Sequence, residues 1–235
     1  MQERSALAIA KTAAVPFVLG ILSAVLCVAA AGGDSLGAWI GSIALVTLII
    51  PPFASSARDR WSAFFAAGAA IDGIALTLLT CVFAGRMTFT QFLACYAVLA
   101  AYGLALMTLA RTIRMPLTIV LASAWLTWPL WLMPLITGAI AAWLTPAHPL
   151  LAINHVLLDH GVWTQQRLMY QYTRLGQDVP YTLPQTIWPC VILHLLVALP
   201  ILWWKEWKGR GPLKESSPAS PAPTSAAGES STHPD

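Results

Sequence analysis

The chain is short of charge. Only 10% of its 235 residues are Asp, Glu, Lys or Arg, while 57% are hydrophobic; an ordinary soluble domain carries about 25% charged residues. A water-soluble globule of this length needs more charge to cover its surface. Disordered chains are poor in apolar residues, so disorder over most of the length is excluded as well. Cysteine is scarce, with thiols only at positions 27, 81, 95 and 190, which is neither a disulfide framework nor a zinc pattern. Catalytic motifs are missing too: there is no GxSxG, no HExxH, and no glycine-rich P-loop with its Lys-Ser or Lys-Thr. No lipobox leads into Cys27 and no C-terminal lipidation box is seen. The chain is therefore not expected to be an enzyme, to carry a cofactor or to hydrolyse nucleotide alone. With a net charge of only +3, no nucleic-acid partner is expected.

What is present is a series of long apolar runs. Crossing roughly 30 Å of hydrocarbon takes about 20 helical residues. Six runs qualify, at about residues 12–31, 37–54, 62–84, 89–110, 117–144 and 186–204. They are continuously apolar without a period of two, which selects helices over barrel strands. The expected fold is all-α, a polytopic membrane helix bundle with about six spans in residues 1–208. Residues 209–235 contain no large apolar side chain after Leu213 and read as a disordered, Pro/Ser/Ala-rich cytoplasmic tail.

The basic residues test the division independently. With the N-terminus inside, Arg4, Lys11, Arg58, Arg60, Arg111, Arg114, Lys205, Lys208, Arg210 and Lys214 are all cytoplasmic, and only Arg86, Arg167 and Arg174 lie outside. This satisfies the positive-inside bias, so both termini are placed in the cytoplasm and the host membrane is expected to be a bacterial inner membrane. The first run is long for a cleaved signal peptide ending at Ala29–Ala31; that alternative leaves five spans.

One connection is long, residues 145–185 on the outer face. Pro149 is placed to open a short helix through LLAINHVLLDH, with Leu150, Ile153, Leu157 and Leu158 on one side and Asn154 and Asp159 elsewhere. Trp163, Tyr170, Tyr172 and Tyr181 suit headgroup level. His148, His155, Asp159 and His160 offer imidazole and carboxylate ligands for a transition metal, but five residues separate His155 from His160, so they do not share a helical face.

Within the spans, two ionisable groups stand out. Asp72 lies about eleven residues into the third run, where a carboxylate costs roughly 2.5–3.5 kcal/mol on insertion scales. His194 lies at a comparable depth in the last run, and a pair between them would satisfy both. If residues 61–70 instead form a separate interfacial helix, Asp72 lies near the inner end of its span. Gly37 and Gly41, and the pairs Ala63/Ala67 and Ala66/Ala70, have the spacing of close helix packing. Trp125, Trp128 and Trp131 with Pro129 and Pro134 suggest a kinked fifth span with bulky packing.

The layout resembles the permease subunit of an ABC-2-type transporter. Such permeases have six spans, cytoplasmic termini and an outer region between spans five and six, here residues 145–185. The turn SSARDRWSAFFAAG, residues 55–68, stands where they place the helix that contacts a separate ATPase. The resemblance implies that Arg58, Asp59 and Arg60 make that contact, that a cytoplasmic ATP-binding-cassette ATPase is a partner, and that a homodimer rocks to open a path. It is a likeness of layout, so function passes by fold-level analogy. Two other readings remain open. One is a non-transporting scaffold or assembly subunit that binds a partner through the outer loop. The other is a proton- or metal-linked membrane enzyme using Asp72, His194 or the loop histidines.

Overall fold

The computed structural model describes residues 2–131, 140, 143–157 and 184–209. They form α1 (Gln2–Ala30), α2 (Ser35–Ser56), α3 (Arg60–Phe83), α4 (Phe89–Thr112), α5 (Met115–Trp131), a 3₁₀ turn (Thr145–Ala147), α6 (Pro149–Leu157) and α7 (Trp188–Gly209). No strand occurs among the described residues. Four helical stretches are long and apolar enough to cross a membrane: Ala13–Ala30, Ser35–Ser56, Arg60–Phe83 and Phe89–Thr112. Met115–Pro129 and Trp188–Leu199 are apolar but shorter. The expected six spans are thus matched at four helices. Residues 132–139, 141 and 142 of the fifth run, 158–183 of the outer loop and 210–235 of the tail lie outside the described residues.

The helix ends follow from local chemistry. Asp34 caps α2, its carboxylate accepting from the Gly37 amide at 2.8 Å. Asp59 caps α3 through the Ser62 amide at 2.8 Å. Thr88 and Gln91 form a reciprocal capping box at α4. The α1–α2 and α3–α4 turns require left-handed backbone, supplied by Gly32, Gly33 and Gly85 at φ 59°, 83° and 69°. Arg86 then ties these two turns together by donating to the Gly33 carbonyl.

The helices run up and down. Trp39 of α2 meets Phe92 of α4 edge to face at 5.8 Å, and at the other end of both helices Arg111 reaches the Ala54 and Ala57 carbonyls. α2 and α4 are therefore parallel to each other and antiparallel to α3. The α2–α3 and α4–α5 turns, with Arg58, Arg60 and Arg114, gather at one end of the bundle, and Arg86 lies at the other.

Among the described residues α1 and α3 make the most extensive helix pairing. Their backbones nearly touch: a Cβ at Gly20 would collide with the Ala70 carbonyl oxygen, and one at Gly73 with the Phe17 carbonyl oxygen. Ala24, Ala66, Ala67 and Ala70 keep the seam narrow and are all buried. Gly41 makes room for the Cys27 side chain, whose Sγ a Cβ there would crowd. The outward positions are as apolar as the core, with Leu26, Val120 and Leu196 at 66%, 62% and 61% exposure. In water that surface would be untenable; against lipid tails it costs nothing. The chain is a helical integral membrane protein.

The seam makes a specific prediction. Gly73→Val forces side-chain atoms into the α1 backbone, and overpacking of this kind costs about 1–3 kcal/mol or more. The variant should show a lowered thermal unfolding temperature in detergent. Gly68→Ala on the same helix should not lower that temperature, because no heavy atom lies within 4 Å of the added Cβ and alanine favours the helix over glycine.

Candidate functional site

α3 is continuous from Arg60 to Phe83, so residues 61–70 are not a separate interfacial helix. Asp72 stands near the middle of that helix, about 18 Å along the axis from Arg60 at roughly 1.5 Å per residue. It does not meet His194. Its carboxylate accepts a hydrogen bond from the Tyr96 hydroxyl of α4 at 2.8 Å, and the residue is exposed on the bundle's flank. There it borders a groove of about 430 Å³ with Phe64, Phe65, Gly68, Tyr96 and Leu104. The expected Asp72–His194 pair fails for a geometric reason: α4 stands between the two. Tyr96 takes Asp72 on one face, and Tyr102, roughly 600° further round the helix, faces α2 and α7.

His194 belongs to a buried polar group centred on Tyr102. The Thr47 hydroxyl donates to the Ile43 carbonyl at 3.1 Å, which commits its one hydrogen. The Tyr102 hydroxyl, 2.9 Å away, is therefore the donor to Thr47. The Tyr102 ring meets His194 nearly perpendicularly, 5.4 Å between centroids, and His194 lies 6.3 Å from Trp125. His194 Nδ1 lies 2.7 Å from the Cys190 carbonyl one turn earlier. A carbonyl only accepts, so Nδ1 carries the proton. One cluster thus joins α2, α4, α5 and α7 in the middle of the bundle.

His148 is not an open-loop ligand. It is 1% exposed, and its Nε2 donates to the carbonyls of Trp125 at 3.0 Å and Leu126 at 3.2 Å. The reason lies four residues along α5. Pro129 has no N–H, so the Trp125 carbonyl loses its helical partner. In hydrocarbon such a group needs a substitute donor, and His148 reaches in to provide it. Its Nδ1 accepts from the Leu151 amide at 3.4 Å, which fixes the neutral tautomer with hydrogen on Nε2. Among the described residues no group of three or more His, Cys, Asp or Glu side chains has the arrangement to hold a metal ion. His155 is half-buried, and Asp159 and His160 lie outside the described residues.

α6 begins at Pro149 as expected, and of the two placements its pattern suits, lying in the interface or dipping into the protein, it takes the second. Residues 149–154 are all buried, including Asn154, whose side-chain amide has no hydrogen-bond partner among the described residues. Asn154, read as lying away from the Leu150 and Ile153 side, is thus buried as well. Gln91 of α4 anchors the helix by donating to the Val156 carbonyl at 3.1 Å.

The α2–α3 turn is a small rigid structure. Asp59 accepts from both the amide and the hydroxyl of Ser62 at 2.8 Å. The first of these bonds, then the second, holds the Asp59 carboxyl below its ordinary range. Arg111 of α4 donates from Nη1 to the carbonyls of Ala54, Ala57 and Asp59 at 3.2–3.3 Å. Arg58, Asp59 and Arg60 are exposed, and the Arg60 guanidinium lies 5.5 Å from the centre of the Trp61 ring.

No protein-family model matches this chain, and no curated protein or solved structure shows significant similarity to it.

Several of these residues escape sequence reading. Tyr96, Tyr102 and Thr47 are ordinary in an apolar helix until a partner's position is known. Arg111 registers as one basic residue among many, although it organises the turn. The pairing of His148 with Pro129 had half a signal, since a proline inside an apolar run announces an orphaned carbonyl.

That pairing generates a double-mutant test. His148→Ala leaves the Trp125 carbonyl without a donor, at about 1–3 kcal/mol, and should lower thermal stability. Adding Pro129→Ala restores an N–H opposite Trp125 and should recover part of the loss. If Pro129→Ala harms parent and variant equally, His148 is not the substitute donor.

Proposed function

We propose that the chain is the membrane-spanning subunit of a transporter, an ABC-type exporter permease energised by a separate cytoplasmic ATPase. In this reading it has six spans, both termini lie on the cytoplasmic side of a bacterial inner membrane, and two copies work together. The observation that carries it is the build of the α2–α3 turn. Arg111 holds three carbonyls of that turn, and Asp59 caps the helix that leaves it. A push on the turn would therefore move α2, α3 and α4 as a unit rather than bending a slack loop. Its exposed face presents Arg58, Arg60 and Trp61, a basic and aromatic patch suited to a protein partner. The chain has no P-loop, so energy from ATP must enter through such a contact.

The remaining geometry is compatible with this work. The small-residue seam between α1 and α3 allows rigid helices to move as a pair. The groove at Asp72 places a carboxylate about midway along a spanning helix, where intramembrane ionisable groups commonly mark pathways.

Mild solubilisation of the tagged chain from its native membrane should recover a nucleotide-binding subunit in near-equal amount. Arg58→Glu with Arg60→Glu should reduce that recovery at least tenfold while the chain itself remains monodisperse. Recovery of other membrane proteins without any ATPase would overturn this reading and favour a scaffold.

A further inference from the structure

A second intramembrane feature is independent of the ATPase reading. Between α4, α5 and α7 lies a cavity of about 230 Å³, bordered by Tyr102, Ala105, Ala122, Trp125, Leu193 and His194. An apolar cavity of about 150 Å³ already holds benzene, and full drug-sized sites begin near 300 Å³. The space suits one ring or the end of a chain. Leu121 and Leu193 border it and are 50% and 38% exposed, so the way in is lateral, from the bilayer.

The wall is apolar apart from three groups. The Tyr102 hydroxyl is spent on Thr47, and the Trp125 indole N–H, though without a hydrogen-bond partner among the described residues, has no accessible surface from which to reach a ligand. His194 is different. The residue is 5% exposed and borders the cavity, yet only Nδ1 is bonded, to the backbone of its own helix. Nε2, the ring nitrogen distal to that helix, has no hydrogen-bond partner among the described residues. Because Nδ1 carries the proton, Nε2 of the neutral ring is an acceptor. An unmatched acceptor in an apolar pocket selects a donor.

We propose that this cavity binds a lipid-soluble alcohol or phenol from the bilayer, its hydroxyl donating to His194 Nε2 and its apolar body lying against Trp125 and Leu193. Ketones, ethers and hydrocarbons of the same shape offer no proton and bind less well. No covalent step is involved.

The test uses the purified full-length chain in lipid nanodiscs without any ATPase, so its failure is separable from failure of the transporter reading. The probes are a diazirine-bearing ten-carbon alcohol and its methyl ether, with insertion sites mapped by peptide mass spectrometry. Saturable labelling by the alcohol is expected at the α4, α5 and α7 positions lining the cavity, and the ether should require about tenfold higher concentration. His194→Phe should remove the preference for the alcohol. His194→Gln, which keeps an acceptor oxygen, should retain it, and Ala122→Leu should block both probes. Equal labelling by alcohol and ether in the parent would overturn the proposal, as would a preference that survives His194→Phe. The parent comparison is decisive even if His194→Phe does not fold.

Discussion

The hydroxyl of Tyr102 donates to Thr47 at the centre of the bundle, and the helices are arranged so that it can. No water is at hand at that depth to satisfy a phenol, so a partner must come from another helix. Thr47 fills that role because its own hydrogen returns to the Ile43 carbonyl, leaving its lone pairs outward. With the hydroxyl fixed toward α2, the Tyr102 ring presents its other side to His194 of α7. The same rule explains His148, which lends a donor to a carbonyl that Pro129 orphans. In both places the interior is held by obligatory polar matches, and apolar packing fills the space around them.

Elsewhere the bundle relies on closeness rather than polarity. Lipid tails are as apolar as leucine, so burying Leu or Val between helices gains little. What α1 and α3 gain is dispersion and close backbone approach at Gly20 and Gly73. The large apolar residues are correspondingly spent outward, as Leu26 and Val25 on α1 show. This division leaves two openings at mid-depth, one with an exposed carboxylate at Asp72 and one with an unmatched imidazole nitrogen at His194. They lie on opposite sides of α4, so a single molecule does not serve both.

Much of the architecture was legible in the residues themselves. The ends of α2, α3 and α4 fall within two residues of the spans read from hydropathy, because Asp34, Asp59 and Thr88 stop and start helices by local hydrogen bonding. Pro149 opened α6 for the same local reason. What was not legible is which face of one helix meets which face of another. In an alanine-rich membrane chain the hydropathy is nearly uniform around each helix, so it carries little directional signal. Asp72 and His194 were therefore paired by depth alone, and the structure separates them. His148 looked like a loop ligand because nothing local links it to a proline nineteen positions earlier.

The account rests on antiparallel spans that carry the Arg58 turn to one side of a membrane and the Arg86 turn to the other. Its most direct test is accessibility. The four native cysteines are all buried, so introduced thiols can be read against a quiet background. Ser56→Cys and Ala84→Cys each place an exposed thiol at one end of the bundle. The account predicts that a membrane-impermeant maleimide labels Ala84→Cys in intact cells, and Ser56→Cys only after the membrane is opened. Labelling of both in intact cells would contradict it, and so would the reverse order.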